Sequence, residues 1–304
     1  MSEITARQYA QNDNILRVDF FSIQQIASKR GKRSFKKIQF KFIKKLRKMK
    51  DKNVLIVGYG VVGKNLHKEI AVLEPDLYDI DSSKLPENYK RKHETYDFIF
   101  VCVDTPYVSK EKPCDISAIE GVFNRWKDNI NPEGIFVIKS TVLSNKIGLL
   151  YRHTPHIVYS PEYYGNTPHC NNFEFNFTIL GGLRKDCVKV QQLLQTCYDG
   201  RHIFRITEPY TACLAKYMEN CWLATKVSFC SQFFELAEQN GVCYEDLREL
   251  FILDPRVNPS HTFIGREKPY WDSHCLNKDV RAIAETQNAE FLKNVIDFNE
   301  KMKK

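Results

Sequence analysis

No apolar run in the chain approaches the roughly 20 residues that a membrane-spanning helix needs. The opening MSEITARQYAQND also lacks the charged-then-apolar order of a secretory signal. Together these predict a cytoplasmic protein that is not transmembrane. The ten cysteines form no CxxC pair and follow no regular spacing, which excludes a recognisable zinc motif or disulfide framework and predicts reduced thiols and no metal. Internal repeats and low-complexity tracts are absent as well. What remains, 43% hydrophobic, 12% aromatic and 27% charged residues over 304 positions, is the composition of a globular chain long enough for one large or two ordinary domains.

The net charge of +8 is unevenly placed. Residues 29 to 52 carry thirteen Lys or Arg against one Asp, and the remainder is close to neutral. Within this stretch Phe35, Ile38, Phe42, Leu46 and Met49 recur at helical spacing with lysines between them. A basic amphipathic helix of this kind suits an anionic partner, a nucleic acid or a membrane surface, or alternatively packs on the body with its lysines solvated. Residues 1–50 are therefore read as a basic N-terminal extension.

From residue 53 the pattern changes to short apolar runs, NVLIVGYG, DLYDID, YDFIFVCVDTP, GIFVIKST, HIVYSPE and FTILGG, separated by helical stretches. Buried strands alternating with helices predict a parallel sheet wound in right-handed βαβ units, over residues 51–206. After residue 205 the strands give way to one long helical pattern. Thr207 is placed to cap it, Pro209 suits its first turn, and Asn240-Gly241 offers a left-handed exit. Such a helix is roughly 48 Å long at 1.5 Å per residue, enough to extend across a dimer interface. Residues 207–304 are read as an all-helical dimerisation domain with that helix at its centre, and the tail from Lys278 to Lys304 as helical again.

Two clusters carry chemistry. VLIVGYGVVG sets Gly58, Gly60 and Gly63 in GxGxxG spacing between a strand and a helix, and Asp79 ends the next strand nineteen residues past Gly60. The glycines allow a tight turn, close approach of a pyrophosphate and close packing of helix on strand, while the carboxylate suits ribose hydroxyls and repels a 2′-phosphate. A doubly wound Rossmann domain binding NAD rather than NADP follows. On the long helix, Lys216 and Asn220 share a face, either to hold a developing oxyanion or as a surface lysine beside a helix asparagine. Cys275, with Lys278 one turn on, is either a nucleophile whose pKa is lowered by the cation and a helix N-terminus or a small buried hydrophobe.

Seven pieces in order, GxGxxG, VDTP (103–106), KSTV (139–142), SPEYY (160–164), AKYMEN (215–220), DPRV (254–257) and CLNKDV (275–280), resemble the nucleotide-sugar dehydrogenases of the UDP-glucose and GDP-mannose type. The resemblance implies oxidation of a primary alcohol to a carboxylate with two NAD in turn, UDP-glucose to UDP-glucuronate being the expected pair. It implies that Cys275 captures the aldehyde, that Lys216 and Asn220 stabilise the oxyanion, that Asp279 and Thr141 position and activate water, and that Glu162 serves thioester hydrolysis. It places Asp79, Lys84, Thr105, Thr141 and Lys278 at NAD, Glu162, Lys216 and Asn220 also at substrate, and Arg256 at substrate across a subunit boundary in a homodimer.

Three departures from the family pattern are visible. The chain ends before the family's second nucleotide-binding domain. Trp271, Asp272 and His274 stand where its loop is glycine-rich, so bulky side chains are expected to fill that space. Asn166 stands at the second acid of its PExxxEG pattern. Two other readings fit parts of the sequence, a two-domain β-hydroxyacid dehydrogenase that needs no cysteine and an NAD-binding or assembly protein without turnover.

Overall fold

A computed structural model describes residues 49–164 and 175–304. The chain divides into two compact units, the first containing the described residues up to Thr105, Ile116–Tyr164 and those from 175 to Cys213, the second Pro106–Asp115 and Leu214–Lys304. The expected leader helix and Asn166 lie outside the described residues, apart from Met49, whose side chain belongs to the core of the first unit.

The first unit is built on a seven-stranded sheet: β1 (Val54–Val57), β2 (Asp76–Tyr78), β3 (Tyr96–Val101), β4 (Ile130–Ile138), β5 (Ile157–Tyr159), β6 (Phe177–Gly182) and β7 (Ile203–Thr207). Their order is β2-β1-β3-β4-β5-β6-β7. Helices α1 (Val61–Glu69), α2 (Ser117–Trp126), α3 (Ser144–Leu150) and α4 (Arg184–Leu194) join them. All four residues of β1 are buried, as expected of a central parallel strand covered on both faces. On α2, Ile119, Val122, Phe123 and Trp126 are buried at i, i+3, i+4 and i+7, the face that packs inward.

Register decides where the loops emerge. Val57 is level with both Tyr78 and Val101, Val101 with Ile138, and Ile138 with Tyr159. Residues 58, 79, 102, 139 and 160 therefore leave the sheet together at its carboxyl edge. The chain also reverses its direction of travel across the sheet at β1, which makes the β1/β3 crevice the topological switch point where such sheets bind ligands.

Two sheet features differ from the sequence reading. β5 and β6 pair antiparallel, Val158 with Gly182 and Tyr159 with Gly181, so the sheet is mixed. An apolar run such as FTILGG shows burial without direction. β7 adds a seventh strand parallel to β6; Ile203 and Arg205 are exposed along it, which weakens its apolar signal. Thr207 is its last residue, and the carbonyl that opens the following helix is that of Glu208, which accepts from the Ala212 N–H at 3.1 Å.

That helix, α5 (Pro209–Gln239), runs 31 residues. It ends in a Schellman arrangement: Gly241 has φ +65°, Val242 N–H donates to the Ala237 carbonyl and Gly241 N–H to that of Glu238. The second unit continues with α6 (Tyr244–Phe251), α7 (His274–Thr286) and α8 (Glu290–Met302). The tail is thus two helices, interrupted near Asn288, which has φ +48°. Cys230, Phe234, Ala237, Tyr244 and Ile264 form the apolar cluster beneath α5 and α6. Among the described residues no helix is long and apolar enough to cross a membrane.

Opposite the carboxyl edge, the fully buried Asp76 accepts hydrogen bonds from the N–H groups of Lys92 and His93, the His93 ring and the hydroxyls of Tyr89 and Tyr96. Burial alone would raise its pKa, but these donors outweigh burial and hold the carboxyl below its ordinary value. Asp76→Asn is expected to lower stability by about 3 kcal/mol in urea titrations, because it leaves buried donors unmatched. Since the folded group titrates below the unfolded one, its contribution is complete above about pH 4 and disappears as pH falls, so the variant should show a flatter acid limb.

Candidate active site

The GxGxxG turn sits where the register brings β1 and β3 level. Gly58 has φ +92°, and a Cβ there would lie 2.5 Å from the Cys102 carbonyl oxygen; one on Gly63 would lie 1.9 Å from the Gly58 carbonyl oxygen. Only glycine satisfies both contacts. At Gly60, by contrast, a Cβ would meet nothing within 4 Å, and no side chain caps the helix that starts after it. The first N–H groups of α1 are thus presented to an open approach, as a pyrophosphate requires. Asp79 follows β2 and is nearly buried. Its Oδ2 accepts from Tyr59 N–H at 2.7 Å and its Oδ1 from Asp81 N–H at 2.9 Å, with the Lys84 ammonium 3.5 Å from Oδ1. The carboxylate is therefore tied to the glycine turn itself. Both elements fit a dinucleotide.

Farther along the same edge, Thr105 Oγ1 donates to the Thr141 carbonyl at 2.6 Å, joining the loops after β3 and β4. Glu162, after β5, accepts from the N–H groups of Tyr163 and Tyr164 on one oxygen and lies 3.1 Å from the Lys139 ammonium on the other. Burial opposes its ionisation, but the Lys139 charge and the two N–H groups prevail and hold its pKa below the ordinary carboxylate value. Glu162 is an ionised carboxylate whose two oxygens are both engaged.

In the second unit, α5 and α7 bring four of the expected residues together. Lys216 donates to Glu219 Oε2 at 2.5 Å and to Asn220 Oδ1 at 3.1 Å; Asn220 Nδ2 donates to Asp279 Oδ2 at 2.6 Å; Lys278 donates to Asp279 Oδ1 at 2.5 Å. Lys216, Asn220 and Asp279 are buried. The amide of Asn220 is thereby oriented, oxygen toward the ammonium and nitrogen toward the carboxylate.

Cys275 occupies the first turn of α7, behind a Ser273 cap whose Oγ accepts from Leu276 N–H at 3.2 Å. It is solvent-exposed, whereas Cys102, Cys187 and Cys221 have thiols pushed up to about 12, chiefly by burial. The expected lowering of the Cys275 pKa is not found. Desolvation by the surrounding protein and then Asp279 raise it, outweighing Lys278 and Lys216. Trp271 also departs from expectation: it is buried between α5 and α8 instead of filling the loop in front of Cys275. Arg256 stands apart from this group, exposed and paired with Asp254 two residues earlier.

The description "UDP-glucose/GDP-mannose dehydrogenase family, NAD binding domain" matches residues 62–199, and the same family's central domain matches residues 210–301. The chain belongs to this family. Among curated relatives, the UDP-N-acetyl-D-mannosamine dehydrogenase of Methanococcus vannielii is 26% identical over 266 residues, covering 81% of this chain and 60% of that protein. The UDP-glucose 6-dehydrogenase of Rickettsia prowazekii is 26% identical over 214 residues, covering 67% and 48%. The chain thus spans less than two thirds of the length of these family members.

Among solved structures, a UDP-glucose dehydrogenase from Pyrobaculum islandicum superposes with TM-score 0.71 at 20% identity, over 82% of this chain and 68% of that one. A 3-hydroxyisobutyrate dehydrogenase from Mycobacterium tuberculosis does so with TM-score 0.58 at 14% identity, over 82% and 93%. These likenesses are likenesses of fold: a Rossmann-type NAD-binding unit followed by helices.

Lys139 and Glu219 were not singled out from sequence. Lys139 opens the KSTV piece, and Glu219 lies one helical turn beyond Lys216, so the i, i+3 spacing to that lysine was the available signal. Lys139→Met should strand a buried carboxylate and lower stability by about 3 to 5 kcal/mol, and adding Glu162→Gln should recover most of it. Urea unfolding of the two variants measures both effects.

Proposed function

We propose that this chain carries the NAD-dependent oxidation of a UDP-sugar at its primary alcohol, through the aldehyde, to the carboxylate. The observation that carries the reading is an accessible thiol, Cys275, in the same unit as the linked Lys216, Asn220, Asp279 and Lys278. NAD, bound at the Gly58–Gly63 turn, supplies the hydride acceptor for both oxidations. Lys216 and Asn220 stabilise negative charge on the sugar oxygen as each hydride leaves, and preorganised donors of this kind are worth the most where water is excluded.

The Cys275 sulphur adds to the aldehyde carbon while its proton passes to the carbonyl oxygen, which retains the intermediate as a thiohemiacetal. Removal of the second hydride leaves a thioester; water cleaves it, returning the thiol and releasing the acid. In balance, two NAD are reduced and one water is consumed per sugar. Glu162, held by Lys139, fixes the Tyr163–Tyr164 backbone in this scheme, and Asp279 orients Asn220.

UDP-glucose remains the first substrate to test, with UDP-N-acetyl-D-mannosamine beside it, since these are the sugars in the relatives' names. Along α5, Leu214, Met218, Trp222, Phe229 and Phe233 form an exposed apolar stripe, which supports self-association through this helix. Sedimentation of Met218→Glu/Trp222→Glu should show a smaller species than the unaltered protein, and an unchanged dimer would refute that surface.

Incubation with NAD and a panel of nucleotide sugars tests the activity. Two NADH per sugar are expected, with Cys275→Ser halting the reaction before the acid and Lys216→Ala lowering kcat by about 100-fold or more. No NADH with any sugar would overturn the reading, and full turnover by Cys275→Ser would favour a β-hydroxyacid-type enzyme.

A further inference from the structure

The thiol of Cys275 is bracketed by two fastenings to α5. Four residues before it, the buried Trp271 donates from Nε1 to Ser228 Oγ at 3.0 Å. Four residues after it, Asp279 accepts from Asn220 at 2.6 Å. Asn220 and Ser228 are eight residues apart on α5, about 12 Å along its axis, so the segment carrying the thiol is pinned at both ends of a span of that helix.

The first fastening has a second support. Asn299 on α8, 1% exposed, accepts from Trp271 N–H at 2.9 Å through Oδ1 and donates to the Trp271 carbonyl at 3.0 Å through Nδ2. One carboxamide thus satisfies both backbone groups of a single residue in a dry setting, where hydrogen bonds hold direction most strongly. Asparagine is a poor choice for a helix interior on propensity alone, and here its side chain is spent entirely on the loop ahead of α7. Without it, the Trp271 N–H and carbonyl would be buried and unmatched, and the loop would have to move to find partners. Any such movement is passed directly to the Ser273 cap and the first turn of α7.

We propose that Asn299, acting through Trp271 and its bond to Ser228, is a positioning residue that sets where the Cys275 sulphur stands relative to Lys216 and Asn220. The proposal deepens the reading of Cys275 as the nucleophile and rests on it. A tryptophan in this loop is then an anchor, with its indole turned away from the thiol and into the helices.

The test compares the full chain with Asn299→Leu, Trp271→Phe and Ser228→Ala. Three quantities are measured: kcat and KM for NADH formation, the pH profile of Cys275 alkylation by iodoacetamide read on its own peptide, and the melting temperature. Asn299→Leu should lower kcat about 10-fold to 100-fold with KM changed by no more than about threefold, and should shift the alkylation profile. Ser228→Ala removes only the indole–hydroxyl bond, whereas Trp271→Phe removes it together with part of a buried ring; Ser228→Ala should have the smaller effect, and adding it to Trp271→Phe should do no more than Trp271→Phe alone. If Asn299→Leu does not fold, Asn299→Asp, which keeps the acceptor for the Trp271 N–H and loses the donor to its carbonyl, decides the question by the same three quantities. Variants that melt lower yet keep the original kcat and alkylation profile per folded molecule would overturn the proposal. If the unaltered protein forms no NADH, the nucleophile reading falls, while the alkylation profiles still decide separately whether Asn299 positions the thiol.

Discussion

The common register of β2, β1, β3, β4 and β5 is the constraint on which the cofactor half of the molecule depends. Side chains alternate with a period of two, so a slip of one residue in any pair would turn a buried row outward. The slip would also separate Gly58 from the Cys102 carbonyl, a contact too close for any side chain. With the register as it stands, Asp79 reaches the Tyr59 N–H, Thr105 reaches the Thr141 carbonyl, and Lys139 reaches Glu162, each across neighbouring strands. The loops need no further device to converge. Their chemistry follows from where the strands stop.

Charge in both units is handled by pairing. Lys139 with Glu162, Lys216 with Glu219, and Lys278 with Asp279 each put opposite charges within 3.1 Å, largely out of water. Removing an ion from water costs several kcal/mol, so such pairs add little net stability, and their value lies in fixing geometry. Asn220 shows the effect: with an ammonium on its oxygen and a carboxylate on its nitrogen, its amide has one favourable orientation, and α5 and α7 are joined through it. The same pairing makes Glu162 a poor base, since a carboxylate already accepting on both oxygens has little affinity left for another proton.

Much of this could be read from the residues. The apolar runs located six strands, Pro209 and Asn240-Gly241 marked the two ends of α5, and GxGxxG with Asp79 marked the cofactor edge, because each signal is local: burial, a left-handed exit, a turn that excludes Cβ atoms. What escaped depends on contacts distant in sequence. The direction of β6 is set by its neighbours, and β7 alternates too weakly to stand out. Trp271 was expected to crowd the thiol, yet its partners Ser228 and Asn299 lie 43 and 28 residues away, and no periodicity announces them. For Cys275, Lys278 one turn away points to a lowered pKa, whereas the desolvation that leads in raising it comes from packing that no local spacing shows, joined by the charge of Asp279 four residues on.

That raised thiol bears on the proposed chemistry. A sulphur protonated at neutral pH is protected from adventitious oxidation, which follows thiolate character. It is also intrinsically the stronger nucleophile once deprotonated, since nucleophilicity rises with basicity at a Brønsted slope of about 0.4 to 0.5. A resting thiolate would lose that advantage and would be attracted to Lys216 and Lys278 before any aldehyde arrived. A thiol that surrenders its proton only as the carbonyl oxygen takes it up incurs no such competition. In that scheme Asp279 has two physical consequences: it adds to the desolvation that raises the thiol pKa, and through Asn220 it holds the donors that receive the oxyanion.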